Sequence, residues 1–218
     1  MYLTWFGQSC FKLQDKLGPD GVTVVTDPFD PKFTGLSLGK LDADIVTISH
    51  QHQDHNYLAA IKGKPLIITT AGEFERRGIF IEGVDAAHDA KNGSERGQVV
   101  IYRIDLDGLS VTHLSDLGIG SLDNKQLEKL AGTDILLIPV GGKYTIDADQ
   151  AVAVVNQLEP RIVVPMHYAL PNLKFPLEPV DKFIKALGLT PKTMDKIKIS
   201  KKELPAEATE LYILQPNQ

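Results

Sequence analysis

Within six residues this chain places three histidines and an aspartate, His50-Gln51-His52-Gln53-Asp54-His55. The cluster directly follows Asp44-Ile45-Val46-Thr47-Ile48-Ser49, whose β-branched residues predict a buried strand. Any fold of the chain must therefore carry a buried strand to an open end, where a rigid scaffold can aim polar side chains into a cleft. The chemistry that suits such a cluster is metal binding. Imidazole is a ligand for zinc, iron, nickel and copper, and carboxylates add charge and hard oxygen. Alternating residues of an extended stretch point the same way, so His50 and His52 are expected to share one ion. After a turn, Asp54 and His55 would face a second. The competing reading is a polar loop whose histidines cap a helix starting near Asn56. It leaves the adjacent imidazoles contributing little to stability.

The same placement recurs. Apolar runs at 22–26, 44–49, 66–69, 99–104, 109–114, 135–140 and 162–166 read as strands. Asp27 follows the first, Asp116 the fifth and His167 the last, while His88 follows the strand-like 79–85. Each would be ordinary alone; with the cluster they supply the missing ligands for two ions. Helical spacing appears at 123–130, at 147–158 with Thr145 or Asp147 as cap, and at 178–187 ending on Gly188. Pro19-Asp20-Gly21 and Asp107-Gly108 suggest hairpin turns. The sum is a mixed α/β sandwich with sheets inside and helices outside.

Composition narrows the classes. The 218 residues suit one α/β domain spanning 1–218. A net charge of −5 argues against a broad nucleic-acid footprint. The lone Cys10 excludes an internal disulfide and a thiolate metal cage, which makes a reducing cytoplasm the default address. The first residues lack the basic start of a signal peptide, and no apolar run is long enough to cross a bilayer.

Together, Asp27, the His50-to-His55 motif, His88, Asp116 and His167 resemble the metallo-β-lactamase fold superfamily in order and spacing. Gly7-Gln8-Ser9-Cys10-Phe11, Leu114-Ser115-Asp116-Leu117-Gly118, Val140-Gly141-Gly142 and Val164-Pro165-Met166-His167-Tyr168 resemble one branch, the small metal-dependent hydrolases related to L-ascorbate-6-phosphate lactonase. The resemblance implies a four-layer αββα sandwich and two divalent ions, with zinc expected and manganese, iron or nickel as alternatives. It implies that His50, His52 and His88 bind the first ion, that Asp54, His55 and His167 bind the second, and that Asp116 bridges them. Asp27 would fix the loop that carries the histidines. Two departures stand out. Gln8 replaces a histidine usual in the branch, and Ile119-Gly120 stand where another often follows.

The function implied is hydrolysis of a small ester, lactone or phosphoester by a metal-bound hydroxide. Asp54 would orient the nucleophile or take its proton, and Tyr168 would donate to an oxyanion, with simple packing as the alternative for Tyr168. Lys143 could attract an anionic small-molecule substrate, against a solvated surface role. His113 reads as structural, and Arg96 as a residue of a loop near the mouth or as a turn stabiliser. A phosphodiesterase or nuclease is the first alternative, though no inserted domain or basic exosite is visible. A two-iron redox enzyme would need a fused flavin domain for which there is no room. A non-catalytic metal-binding regulator is the remaining class. The sequence leaves oligomeric state open, and residues 179–218 match no functional motif.

Overall fold

A computed structural model describes residues 1–15 and 21–217. In chain order its elements are β1 (Tyr2–Gly7), β2 (Cys10–Gln14), β3 (Thr23–Thr26), α1 (Pro31–Thr34), β4 (Leu41–Asp42), β5 (Ile45–Thr47), β6 (Ile61–Lys62), β7 (Leu66–Ile68), β8 (Gly72–Arg76) and β9 (Ile79–Ala87). There follow β10 (Gln98–Leu106), β11 (Leu109–His113), α2 (Asn124–Leu130), β12 (Ile135–Pro139), α3 (Ala148–Leu158), β13 (Ile162–Met166), α4 (Val180–Leu187), β14 (Pro191–Met194), β15 (Lys196–Lys198) and β16 (Glu210–Leu214). The expected strands and helices stand within two or three residues of their predicted limits. The Pro19-Asp20 turn lies outside the described residues.

Two sheets form the sandwich. One runs β15-β1-β2-β3-β5-β7, the other β14-β16-β13-β12-β11-β10-β9-β8. The period-two alternation of each strand decides which residues meet between them. Phe11, Leu13, Val24 and Ile45 of the smaller sheet point inward and share one core with Ile81, Tyr102, Ile104, Val111 and Ile135 of the larger. Their neighbours Cys10, Val25 and Val46 point outward into a second cluster. That outer face is covered by Phe29, Leu36 and Leu41, carried by α1 and the segments around it. The layer over the larger sheet is built from α2, α3 and α4. Both faces of β3 and β5 are thus buried, which is why they read as continuous apolar runs rather than alternating ones. No described helix is long and apolar enough to cross a membrane.

Local chemistry sets the helix starts. Asp123 accepts from the Gln126 N–H at 2.9 Å while the Gln126 amide oxygen accepts from the Asp123 N–H at 3.0 Å, a reciprocal cap that opens α2. Asp147 and Gln150 repeat it for α3, so Asp147 rather than Thr145 is the cap. α4 starts at Val180, behind Pro179, and stops at Gly188 with φ +71°. Asp107 and Gly108, both at positive φ, make the tight turn joining β10 and β11.

The last forty residues close the sandwich. β16 lies between β13 and β14 in the larger sheet, and β15 pairs with β1 in the smaller one. Ile197 and Ile199 point into the core, whereas Lys196 and Lys198 lie outside over the Tyr2 ring. Charged side chains on an edge strand discourage pairing with another chain.

Candidate metal centre

The ends of β3, β5, β9, β11 and β13 gather on one side of the sandwich and deliver Asp27, the His50-to-His55 motif, His88, Asp116 and His167. The chain leaves three of these strands through residues in the left-handed region: Asp27 at φ +37°, Ser115 at φ +53° and His167 at φ +50°. Non-glycine residues held there cost on the order of 1–3 kcal/mol each and persist where surrounding structure fixes them. Two glycines allow close backbone approach beside these ends. A Cβ on Gly118 would lie 2.2 Å from the carbonyl carbon of His88, and one on Gly141 would lie 2.1 Å from the carbonyl oxygen of His167. Only glycine lets these two backbones lie against the loops that carry His88 and His167.

The motif itself departs from expectation. Residues 50–52 are bends rather than an extended stretch, while the turn expected before Asp54 and His55 is present at 53–55, with the His55 N–H donating to the His52 carbonyl. The turn still brings the rings together. Nδ1 of His52 lies 2.9 Å from Nε2 of His50 and 3.3 Å from Nε2 of His88. A second group comprises Asp54, His55, Asp116 and His167, and within each group the ligand atoms fall within 4.8 Å of one another. One oxygen links the two groups. Oδ2 of Asp116 lies 3.1 Å from His55 Nε2, 3.5 Å from both His88 Nε2 and His167 Nε2, and 3.9 Å from His50 Nε2.

The hydrogen-bond network fixes the tautomers. The Ser49 hydroxyl donates to Asp27 at 2.6 Å, so His50 Nδ1, 2.9 Å from the same hydroxyl, must be the donor there. Its Nε2 then presents a lone pair. His55 Nδ1 donates to Asp27 at 2.9 Å, which leaves its Nε2 facing Asp54 and Asp116. Nε2 of His55 and of His167 are buried without a hydrogen-bond partner among the described residues. Converging lone pairs and carboxylates with no donor between them are a donor set for cations, so the residues fit divalent ions. His113 is not part of it: both ring nitrogens are used, on the Ser9 carbonyl and the Ser115 N–H.

Charge follows from burial and neighbours. Burial alone would raise the Asp116 and Asp54 carboxyls, but the positive charges of His55 and His167 overcome it and hold both well below the usual carboxylate range. Burial, then the charge of His55, pushes His50 down to about 3. Burial also lowers His88. His55 is the exception: burial opposes its charge, yet Asp116 and Asp54 raise it well above its ordinary value. These are the values of a centre whose positive charge is carried by protons alone.

Above the cluster opens a cleft of about 670 Å³ lined by His52, Asp54, His88, Asp116 and His167 together with Phe33, Tyr144, Phe175, Glu95 and Arg96. Arg96 stands at the cleft mouth, one of the two places the sequence offered for it, whereas Phe33 and Phe175 come from separate segments that nothing in their local sequence marks. Tyr168 does not line this cleft. It is buried with its ring 5.1 Å from Trp5, inside the core, so its position supports packing rather than the oxyanion role expected of it. Lys143 is also elsewhere, exposed in a separate pocket beside Asp147, Asp149 and Glu178. Gln8 is buried at φ +46°, and its carbonyl accepts from Trp5 Nε1 and the His167 N–H.

A family model described as the beta-lactamase superfamily domain matches residues 2–167. The chain is 31% identical over 193 residues to a UPF0173 metal-dependent hydrolase of Methanoculleus marisnigri, covering 77% of this chain and 81% of that one. It is 30% identical over 203 residues to its counterpart in Natranaerobius thermophilus, covering 83% and 87%. Among solved structures it superposes on a provisionally assigned Zn-dependent hydrolase of the metallo-β-lactamase superfamily from Thermotoga maritima with a TM-score of 0.79 at 34% identity, over 98% and 97% of the two chains. The fold alone is shared with Igni18, a metallo hydrolase of Ignicoccus hospitalis, at a TM-score of 0.66 and 24% identity over 100% and 96%. The chain belongs to the metallo-β-lactamase superfamily, within its UPF0173 family of metal-dependent hydrolases.

Proposed function

We propose that the centre binds two divalent metal ions, with zinc the first candidate, and hydrolyses a small ester, lactone or phosphoester. The observation that carries the reading is the position of Asp116 Oδ2, within 3.9 Å of imidazole nitrogens from both ligand groups. His50, His52 and His88 would hold one ion and Asp54, His55 and His167 the other, with Asp116 shared. Bound there, two such ions supply a nucleophile from water near neutral pH and polarise the group it attacks. The chain's own residues do the rest. Asp27 orients His50, through Ser49, and His55. Asp54 stays ionised and faces the cleft, where it can take a proton from the attacking water. The lone, buried Cys10 suits a reducing, cytoplasmic setting.

The test is a panel of small esters, lactones and phosphoesters assayed before chelation, after chelation and after zinc is restored. Turnover that disappears and returns with the metal supports the reading. Turnover indifferent to chelation, or none on any class with the metal in place, contradicts it.

A further inference from the structure

The cleft holds one cation that the metal cluster does not account for. Arg96 is half-buried on its wall and also lines an adjoining cavity of about 630 Å³ with Ser49, Thr69, Thr70 and Gln98. Among the described residues its guanidinium forms no ion pair and no side-chain hydrogen bond; its contact is the face of Tyr144, 5.6 Å from the ring centroid. Of the acids nearby, Glu95 pairs with Lys91 at 2.6 Å, and Asp85, which lines the adjoining cavity, forms no ion pair with Arg96 among the described residues. Five N–H donors in a fixed fork are therefore left facing the space between the two cavities.

The backbone beneath Arg96 is held firmly. Asp89, directly after His88, is buried and accepts four backbone N–H groups: Lys91 at 2.8 Å, Gly93 at 3.0 Å, Glu95 at 3.0 Å and Arg96 at 2.8 Å. One carboxylate thus ties the segment that carries Arg96 to the strand end that carries His88. The same cleft carries large apolar groups left in water. Phe33 is 42% exposed and Tyr144 36% exposed, and Phe175 lies 5.7 Å from the first ring and 6.1 Å from the second. Two exposed aromatic rings joined through the half-buried Phe175, beside a guanidinium with no ion-pair partner, match a ligand with an apolar body and a negative group.

We propose that Arg96 recognises an anionic group distinct from the bond being cleaved, and that the substrate is an amphipathic ester, lactone or phosphoester whose apolar portion lies on Phe33, Tyr144 and Phe175. This inference rests on the hydrolase reading for the word substrate, but its test reads binding. Affinities of 4-phenylbutanoate and of the neutral 4-phenylbutan-1-ol are compared by calorimetry on chelated protein, so that the carboxylate cannot be captured by metal. The wild-type protein is expected to prefer the carboxylate by roughly tenfold or more, the size of a charge-assisted contact. Arg96→Gln should erase that preference and Arg96→Lys should keep part of it, whereas Phe175→Ala should weaken both compounds alike. An unchanged preference in Arg96→Gln, or no preference in the wild type, overturns the proposal. Failure to hydrolyse any ester would count against the hydrolase reading and leave the Arg96 assignment to this binding ratio.

Discussion

Nδ1 of His55 lies 2.9 Å from Oδ2 of Asp27, and the same carboxylate takes the Ser49 N–H at 2.8 Å and the Ser49 hydroxyl at 2.6 Å. One buried group at the end of β3 therefore clamps both ends of the segment that holds His50, His52 and Asp54. Partners of this kind orient metal-binding histidines and raise their basicity. Asp27→Asn keeps the volume and removes the charge. It should weaken metal affinity by roughly 10- to 100-fold. Competition against a chromophoric chelator measures this, and an unchanged affinity would remove Asp27 from the tuning of the site.

Gly141 carries a prediction about stability. A methyl group there would lie 2.1 Å from the His167 carbonyl oxygen, a backbone atom that cannot swing aside. Gly141→Ala should cost about 1–3 kcal/mol in denaturant unfolding, the usual range for overpacking, and should lower metal content with it. A variant as stable as the wild type and fully loaded would show that the His167 loop can shift freely.

The sign of the pH dependence follows from His50. Its ring is held down to about 3 from an ordinary 6.5. Between those values the unfolded chain binds a proton that the folded chain refuses, so stability falls as pH drops through that window. His88, also lowered, acts in the same sense. Asp54 and Asp116, held below the usual carboxylate range, lose their contribution only further toward acid. His55 acts oppositely: its contribution is fully present below about 6.5 and is lost as pH rises through its raised value. In chelated protein, the stability gap between wild type and His50→Gln should therefore change by something on the order of 1–2 kcal/mol between pH 7 and pH 5, in favour of the variant at low pH. Urea unfolding at the two pH values reads this directly; a constant gap would contradict it.

Tyr168 sits against Trp5 in the core, so removing its hydroxyl should leave the chemistry nearly untouched. Tyr168→Phe is expected to keep turnover of any substrate found within a few-fold. A loss of ~10²-fold or more, the scale of a proton donor in the transition state, would return the hydroxyl to the mechanism.

What the sequence reveals here depends on how local the information is. The His50-to-His55 cluster lies in one short window, and Asp27, His88, Asp116 and His167 each follow a run apolar enough to predict a strand. The caps of α2 and α3 are equally local, since Asp123–Gln126 and Asp147–Gln150 are three residues apart. The extended geometry expected for residues 50–52 did not hold: they form bends in a segment that Asp27 ties down from 28 residues away along the chain, as counted to His55. β15 was hidden because its exposed lysines mask the inward Ile197, and β1 and β2 mix apolar and polar residues on short strands. The cleft wall was the least legible part. Phe33, Tyr144 and Phe175 meet only through the tertiary fold, and of the residues the sequence pointed to, Arg96 lines the cleft whereas Lys143 and Tyr168 do not.

The central claim is that two ligand groups share Asp116. Elemental analysis of protein purified without chelator, comparing wild type with His52→Ala and Asp116→Ala, tests it most directly. About two ions per wild-type chain are expected, with a fall to about one in His52→Ala and weakened retention of both in Asp116→Ala, secondary structure being preserved. Metal well below one ion per chain in the wild type, or metal that survives both substitutions, would contradict it.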